Sequence, residues 1–145
     1  MNRKNAIPII LLVFLTTIFT SCEKNEKQRQ SIDVSSLMVR IAEIEVYPEY
    51  LEEYCSILKE EARASVEKEI GVISILPMFE KKRPNQIRLL EIYTDQSAYE
   101  KHLLTPHFKF YKSSTAQMIK SLNLIDMSTI DKESMGIIFK KLNGK

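Results

Sequence analysis

Between Met38 and Tyr47 apolar and polar side chains alternate. Met38, Ala42, Ile44 and Val46 fall on one face, interrupted by Arg40, while Val39, Ile41 and Tyr47 share the other with Glu43 and Glu45. A period of two is the signature of a β-strand. Pro48 ends that strand and suits the first turn of a helix. From there the period changes, with Leu51, Cys55, Leu58, Ala62 and Val66 recurring at spacings of four, three, four and four. This stripe predicts an amphipathic helix with Glu52, Glu53, Lys59, Glu60, Arg63 and Glu67 in water. Gly71 stands just past its end, where a C-terminal cap is expected.

Val72 to Phe79 reads as a second strand, and Pro77 within it suggests an edge or a bulge. Lys81-Lys82-Arg83-Pro84-Asn85 reads as a polar hairpin turn whose basic triplet is solvated. Gln86 to Tyr93 is a third strand, apolar through Ile87, Leu89, Leu90 and Ile92. Thr94 or Asp95 can cap a short helix running through Leu103. Thr105 and Pro106 then start another, with a side-chain cap followed by proline at the first helical position. That helix carries Phe108, Tyr111, Thr115 and Met118 on one stripe, and Ser121 to Met127 forms a fourth strand. The resulting order, β-α-β-β-α-β with its second helical region broken in two, predicts a ferredoxin-like α+β domain of split βαβ units over residues 38–130. Residues 131–145 form a C-terminal tail with one apolar patch, Ile137-Ile138-Phe139, and no assigned structure. Helices cover one face of such a sheet, so the other needs a cover, and a second copy of the chain would supply it. A homodimer is therefore expected.

Composition narrows the function classes. The chain has 145 residues, 44% hydrophobic and 28% charged, which is room for one compact domain. Apart from the Lys81-Lys82-Arg83 triplet no basic run lies in the folded part, so a nucleic-acid partner is not expected. Three glycines and no G-x-G-x-x-G or Walker pattern leave no cradle for a dinucleotide or nucleoside phosphate.

The amino end reads as an address. Arg3 and Lys4 precede a run from Ala6 to Phe19 that is apolar apart from Thr16 and Thr17. A span needs about 20 apolar residues, so this shorter run reads as an export signal over residues 1–21. Phe19-Thr20-Ser21-Cys22 resembles the lipobox of bacterial lipoproteins, with Phe19 where an aliphatic is usual. The resemblance implies cleavage before Cys22, diacylglycerol on its sulfur, and an exported protein anchored to a bacterial membrane. Residues 22–37 then form a tether, whose stretch from Glu23 to Gln30 has no apolar side chain. Losing Arg3 and Lys4 from 21 cations leaves 19 against 19 anions, so the mature chain is formally neutral. Cys55 would be the one remaining thiol, which excludes an intrachain disulfide.

Two segments resemble a known family. Met38-Val-Arg-Ile-Ala-Glu-Ile-Glu-Val opens the domain, and Leu90-Glu-Ile-Tyr-Thr-Asp-Gln-Ser-Ala-Tyr-Glu-Lys-His-Leu-Leu-Thr-Pro-His-Phe lies at its centre. The second is similar to the hallmark of the antibiotic biosynthesis monooxygenases, in particular their small quinol-monooxygenase-like members. The family pattern is a strand ending in Glu-x-Tyr/Trp, a short helix with an alanine and a histidine, then Thr-Pro-His. Glu91, Tyr93, Ala98, His102, Thr105, Pro106 and His107 fall in register, and the likeness spans roughly Met38 to Met127. It implies a dimeric α+β barrel with a cavity in each protomer between sheet and helices. It also implies oxidation of an electron-rich phenol or hydroquinone by dioxygen, without flavin, metal or other cofactor.

The chemistry suits these residues. A deprotonated hydroquinone can itself give an electron to dioxygen, so the protein need supply only a base, a dry cavity and orientation. Histidine is the natural base near neutral pH, and the chain has only His102 and His107. His102 is expected to face the cavity, as base or as a hydrogen-bond anchor for a substrate oxygen. His107, in the first turn after Pro106, is expected to brace the loop or bond Glu91. Glu91 is a carboxylate on the apolar face of Ile87, Leu89 and Tyr93, where it must be paired or tuned for work. Tyr93 and Tyr54 are candidates to stack on or bond an aromatic substrate. With a proline between them, the two histidines are not expected to share a metal. The absence of tryptophan disfavours the family's haem-degrading branch. Two alternatives remain open. One is an enolising enzyme for a small carbonyl compound, like the relative that processes a phosphorylated diketone from the autoinducer-2 signal. The other is a non-catalytic ligand-binding lipoprotein.

Overall fold

The computed structural model describes residues 34–142, so Cys22 and the expected signal segment lie outside the described residues. Strand β1 (Met38–Val46) leads through a single 3-10 turn (Pro48–Tyr50) into α1 (Leu51–Lys68). Then follow β2 (Val72–Glu80), β3 (Arg83–Tyr93), α2 (Gln96–His102), α3 (Pro106–Thr115), β4 (Ile119–Met127) and α4 (Lys132–Leu142). The four strands form one open antiparallel sheet in the order β2-β3-β1-β4. This is the predicted ferredoxin-like α+β fold, and Pro77 does lie on an edge strand. Among the described residues no helix is long and apolar enough to cross a membrane.

The core joins the inward face of the sheet to the helices. Ala42, Ile44 and Val46 of β1 meet Ile87, Leu89 and Tyr93 of β3, and Tyr54, Leu58 and Ala62 of α1 close over them. Each of the larger aliphatic side chains contributes roughly 1.5–3 kcal/mol through its burial. Two side-chain caps define the helical region that was predicted to break. Asp95 accepts from the Ala98 amide at 2.7 Å and starts α2. Thr105 accepts from the Phe108 amide at 3.3 Å to start α3, while its hydroxyl donates to the His102 carbonyl at 2.8 Å. One threonine thus ties the end of α2 to the start of α3.

The structure departs from the pattern-based reading in five places. The buried side of α1 is rotated from the expected stripe: Val66 is 44% exposed, whereas Tyr54, Glu61 and Ser65 are buried. Helix α1 ends in Glu69, whose φ of −103° and ψ of 110° already leave the helix, so no glycine cap is needed. Gly71 serves close approach instead, because a Cβ there would stand 2.5 Å from the Cβ of Ala98 on α2. The hairpin turn is only Lys81 and Lys82, with Arg83 and Pro84 already in β3. Arg83 pairs there with Glu80 at 2.7 Å. Strand β4 begins two residues early, at Ile119, after a register shift between Glu45 and Val46 of its partner. Finally, the tail holds helix α4, which makes little contact with the other elements and leaves Ile137 and Ile138 exposed.

Candidate active site

A cavity of about 430 Å³ lies between the inward sheet face and the helices. Strand β1 gives it Arg40, Ala42 and Ile44, and β3 gives Leu89, Glu91 and Tyr93. The helices add Glu61, Tyr99, His102, Phe108 and Tyr111, and β4 adds Leu122 and Leu124. Mostly apolar walls with a few convergent polar groups are what a small-molecule site requires. A larger groove of about 510 Å³ runs between α1 and β2, past Cys55, Val66, Pro77 and Phe79. Neither a histidine nor a tyrosine lines it, and burial pushes the Cys55 thiol upward, away from its reactive form. The smaller cavity is the one that gathers the buried histidine, carboxyl and phenol groups.

His102 is 2% exposed and held on several sides. Its ring meets Phe108 edge-on at 4.7 Å and leans against Tyr93 at 5.6 Å. Nδ1 lies 3.0 Å from Oε1 of Glu69, and the same oxygen stands 2.6 Å from Nε2 of His107. An ionised carboxylate can only accept, so each imidazole donates to it. In the neutral ring of His102 this leaves the lone pair on Nε2, which lies 3.6 Å from Oε1 of the cavity-lining Glu61. Burial opposes ionisation of Glu69, but the hydrogen bonds from the two histidines outweigh it and hold its carboxyl below the ordinary value. Glu61 behaves oppositely. Burial raises its carboxyl, against the Ser65 hydroxyl that donates to it at 2.9 Å and the nearby imidazoles.

Glu91 is also raised by burial, against the Tyr93 hydroxyl, which donates to it at 3.2 Å, and the Arg40 charge. Arg40 donates to Asp126 at 2.8 Å and lies over the Tyr99 ring, 4.6 Å from its centroid. Its Nη1 has no acceptor among the described residues. Tyr99 in turn meets Tyr93 edge-on at 5.4 Å, so a ladder of rings runs along one wall to His102. Burial holds Tyr93 and Tyr54 well above the ordinary phenol value and pushes Tyr111 up to about 12, so all three stay protonated.

The expected site residues thus separate. His102, Glu91 and Tyr93 line the cavity. Tyr54 does not; it sits one layer behind, its hydroxyl 2.7 Å from that of Tyr111, which does. His107 bonds Glu69 rather than Glu91. The two histidines meet after all, because Glu69 at the end of α1 is their common acceptor. Sequence reasoning missed Glu61 and Glu69. Glu61, three residues after Leu58, could have been found as a carboxylate on the inward side of the helix. Glu69 gave no such signal, since it follows the last helical residue.

The sequence pattern of the antibiotic biosynthesis monooxygenase family matches residues 37–113. A solved structure from Bacteriodes thetaiotaomicron VPI-5482, named as an antibiotic biosynthesis monooxygenase, is 44% identical. It superposes with a TM-score of 0.68 over 68% of this chain and 94% of that one. A Lactobacillus acidophilus NCFM protein named as a monooxygenase is 27% identical, with a TM-score of 0.63 over 64% of this chain and 44% of its own. PA3566 from Pseudomonas aeruginosa shares the fold at 18% identity and a TM-score of 0.63, over 68% of this chain and 99% of that one. Among curated proteins none matches. With its pattern matched over more than half its length and a 44% identical relative aligned over two thirds of it, this chain belongs to the antibiotic biosynthesis monooxygenase family.

Proposed function

We propose that this chain is a cofactor-independent monooxygenase that oxidises a hydroquinone- or phenol-type aromatic with dioxygen. The observation that carries the reading is His102: a buried imidazole on a mostly apolar cavity, with Nδ1 fixed by Glu69 and Nε2 left to accept a proton. A carboxylate behind one ring nitrogen sets the tautomer and steadies the cation that forms on proton uptake.

The substrate hydroxyl gives its proton to Nε2, and the resulting anion passes one electron to dioxygen. The radical pair then joins as a carbon-bound peroxide. Loss of water from it, with the proton returned from His102, leaves one oxygen atom on the ring. For a hydroquinone with a free ring position the balance is quinol plus dioxygen giving hydroxyquinone plus water, with all four electrons from the substrate. Tyr93 and Tyr99 offer edges and faces to the ring, and protonated Tyr111 can donate to a substrate oxygen. In this reading the protein works as a homodimer, tethered to a bacterial membrane through lipid on Cys22. Family membership and the apolar outer sheet face support the first, and the Phe19-Thr20-Ser21-Cys22 motif supports the second.

The test is oxygen uptake with menadiol. The full chain is expected to consume oxygen and form the hydroxyquinone, and His102→Ala to slow this by about a hundredfold or more. Uptake no faster than the enzyme-free autoxidation would overturn the reading for hydroquinones.

A further inference from the structure

We propose that Glu69, His102 and His107 together form a binding site for a divalent transition-metal ion of the zinc class. Oε1 of Glu69, Nδ1 of His102 and Nε2 of His107 all lie within 4.8 Å of one another. Two imidazoles and one carboxylate are a borderline-soft donor set that suits Zn²⁺, with a fourth position open to water. The ligands come from three separate places: the end of α1, the end of α2 and the first turn of α3. Thr105 locks two of these together, so the donors converge without further ordering of the chain.

A neighbouring carboxyl group points to a ligand in the same place. A metal-bound histidine nearly always presents its other ring nitrogen to a carboxylate, which fixes the ring and raises its donor strength. Here Nε2 of His102 faces Oε1 of Glu61 at 3.6 Å, and both side chains are almost fully buried. Glu61 is itself held by Ser65. Glu61 thus stands on the side of the ring where the outer carboxylate of a carboxylate–histidine–metal arrangement belongs. The contacts of 3.0 and 2.6 Å at Glu69 are those of hydrogen bonds. Bond lengths near 2.1 Å in a tetrahedral site put donors about 3.4 Å apart, so the carboxylate must recede by roughly half an ångström or more. With 13% of its side chain exposed, at the C-cap of α1 where the chain leaves the helix, Glu69 has that freedom.

Binding changes where protons sit. An ion on Nδ1 of His102 displaces the hydrogen there, and the neutral ring then carries its hydrogen on Nε2. His107 makes the reverse exchange, from Nε2 to Nδ1. The cavity-facing nitrogen becomes a donor to Glu61 and can no longer act as a base. Zinc would thus switch off the oxygenation proposed above; that consequence rests on the proposed reaction, whereas the binding does not.

The test is calorimetric titration of the full chain, in a Cys55→Ser background, with zinc chloride, together with absorption of the cobalt(II) form. One ion per chain is expected, with a cobalt spectrum of low coordination number. His107→Ala and Glu69→Gln are each expected to weaken binding at least tenfold, and Glu61→Gln by about tenfold through Nε2. His107 is the most exposed of the three, so its variant should keep the fold, which circular dichroism checks. No one-to-one binding, or binding that both ligand variants leave unchanged, would overturn the site. A chain that binds zinc in this way but consumes no oxygen with menadiol sinks the oxygenase reading and leaves the site standing. Turnover without zinc binding does the reverse.

Discussion

The three carboxyl groups near His102 meet two different fates. Glu69 receives two imidazole N–H bonds and is held in its ionised form. Glu61 and Glu91 face the cavity, where burial favours the neutral acid. The sign of each contribution to stability follows. Glu69, with a lowered folded value, stabilises above the unfolded carboxyl value, and that support is lost as pH falls through the folded one. Glu91, with a raised folded value, favours folding below the unfolded value, and that advantage is lost as pH rises through the folded one. Glu91→Gln keeps an acceptor for the Tyr93 hydroxyl and removes the charge. It is expected to raise the melting temperature by a few degrees at about pH 8 and not at about pH 4, where both side chains are neutral. Equal gains at both would mean that ionisation is not what Glu91 costs the fold. Glu91 was legible in the sequence because a carboxylate breaks the apolar face of β3. Glu69 was not, because its partners lie 33 and 38 residues further on and no periodicity carries that distance.

At the scale of elements, what was legible was local chemistry. Asp95 and Thr105 cap the helices they were expected to cap, because a side-chain oxygen three residues before an amide needs nothing else. The face of α1 was misjudged because the helix packs on two sides. One touches the sheet, and the other reaches α3, where Tyr54 meets Tyr111. Polar Glu61 lies on the inward side because it borders the cavity, Ser65 is buried beside it as its hydrogen-bond donor, and apolar Val66 lines the outer groove. Gly71 was assigned a helix-capping role on position alone, whereas it answers to a neighbour 27 positions on. That distinction can be measured. A cap glycine in a left-handed conformation would lose stability through backbone strain, and no change at Ala98 would restore it. Here Gly71→Ala forces two methyl groups to 2.5 Å, so β2 and α2 must separate. The expected cost is about 1–3 kcal/mol in chemical denaturation. Adding Ala98→Gly should recover a substantial part of it, and a double variant no more stable than the single one would refute the close-approach account.

For the whole molecule, the order of elements could be read from period changes along the chain, but the way the outer sheet face is composed could not, since it depends on register. The ladder aligns Leu76 with Leu90, Leu90 with Ile41, and Ile41 with Ile125, so one apolar row crosses all four strands. Val39 and Met127 extend the patch in one direction. In the other, the next row is Met78, Arg88, Glu43 and Asn123, where Arg88 and Glu43 pair at 3.4 Å. An apolar band edged by charges suits the homodimer proposed above, because a two-fold axis can lay one row of Leu and Ile upon another while the polar rows stay at the rim. The cavity lies on the opposite face of this sheet, so covering the band leaves its walls in place. Ile125 is exposed on edge strand β4, and Ile125→Glu should leave the protomer folded while setting a charge within the apolar row. At micromolar concentration, sedimentation is expected to give a dimer for the native chain and a monomer, or a dimer weakened at least tenfold, for the variant. A native chain that sediments as a monomer, or a variant that dimerises as well as it does, would leave the outer face without the partner its register implies.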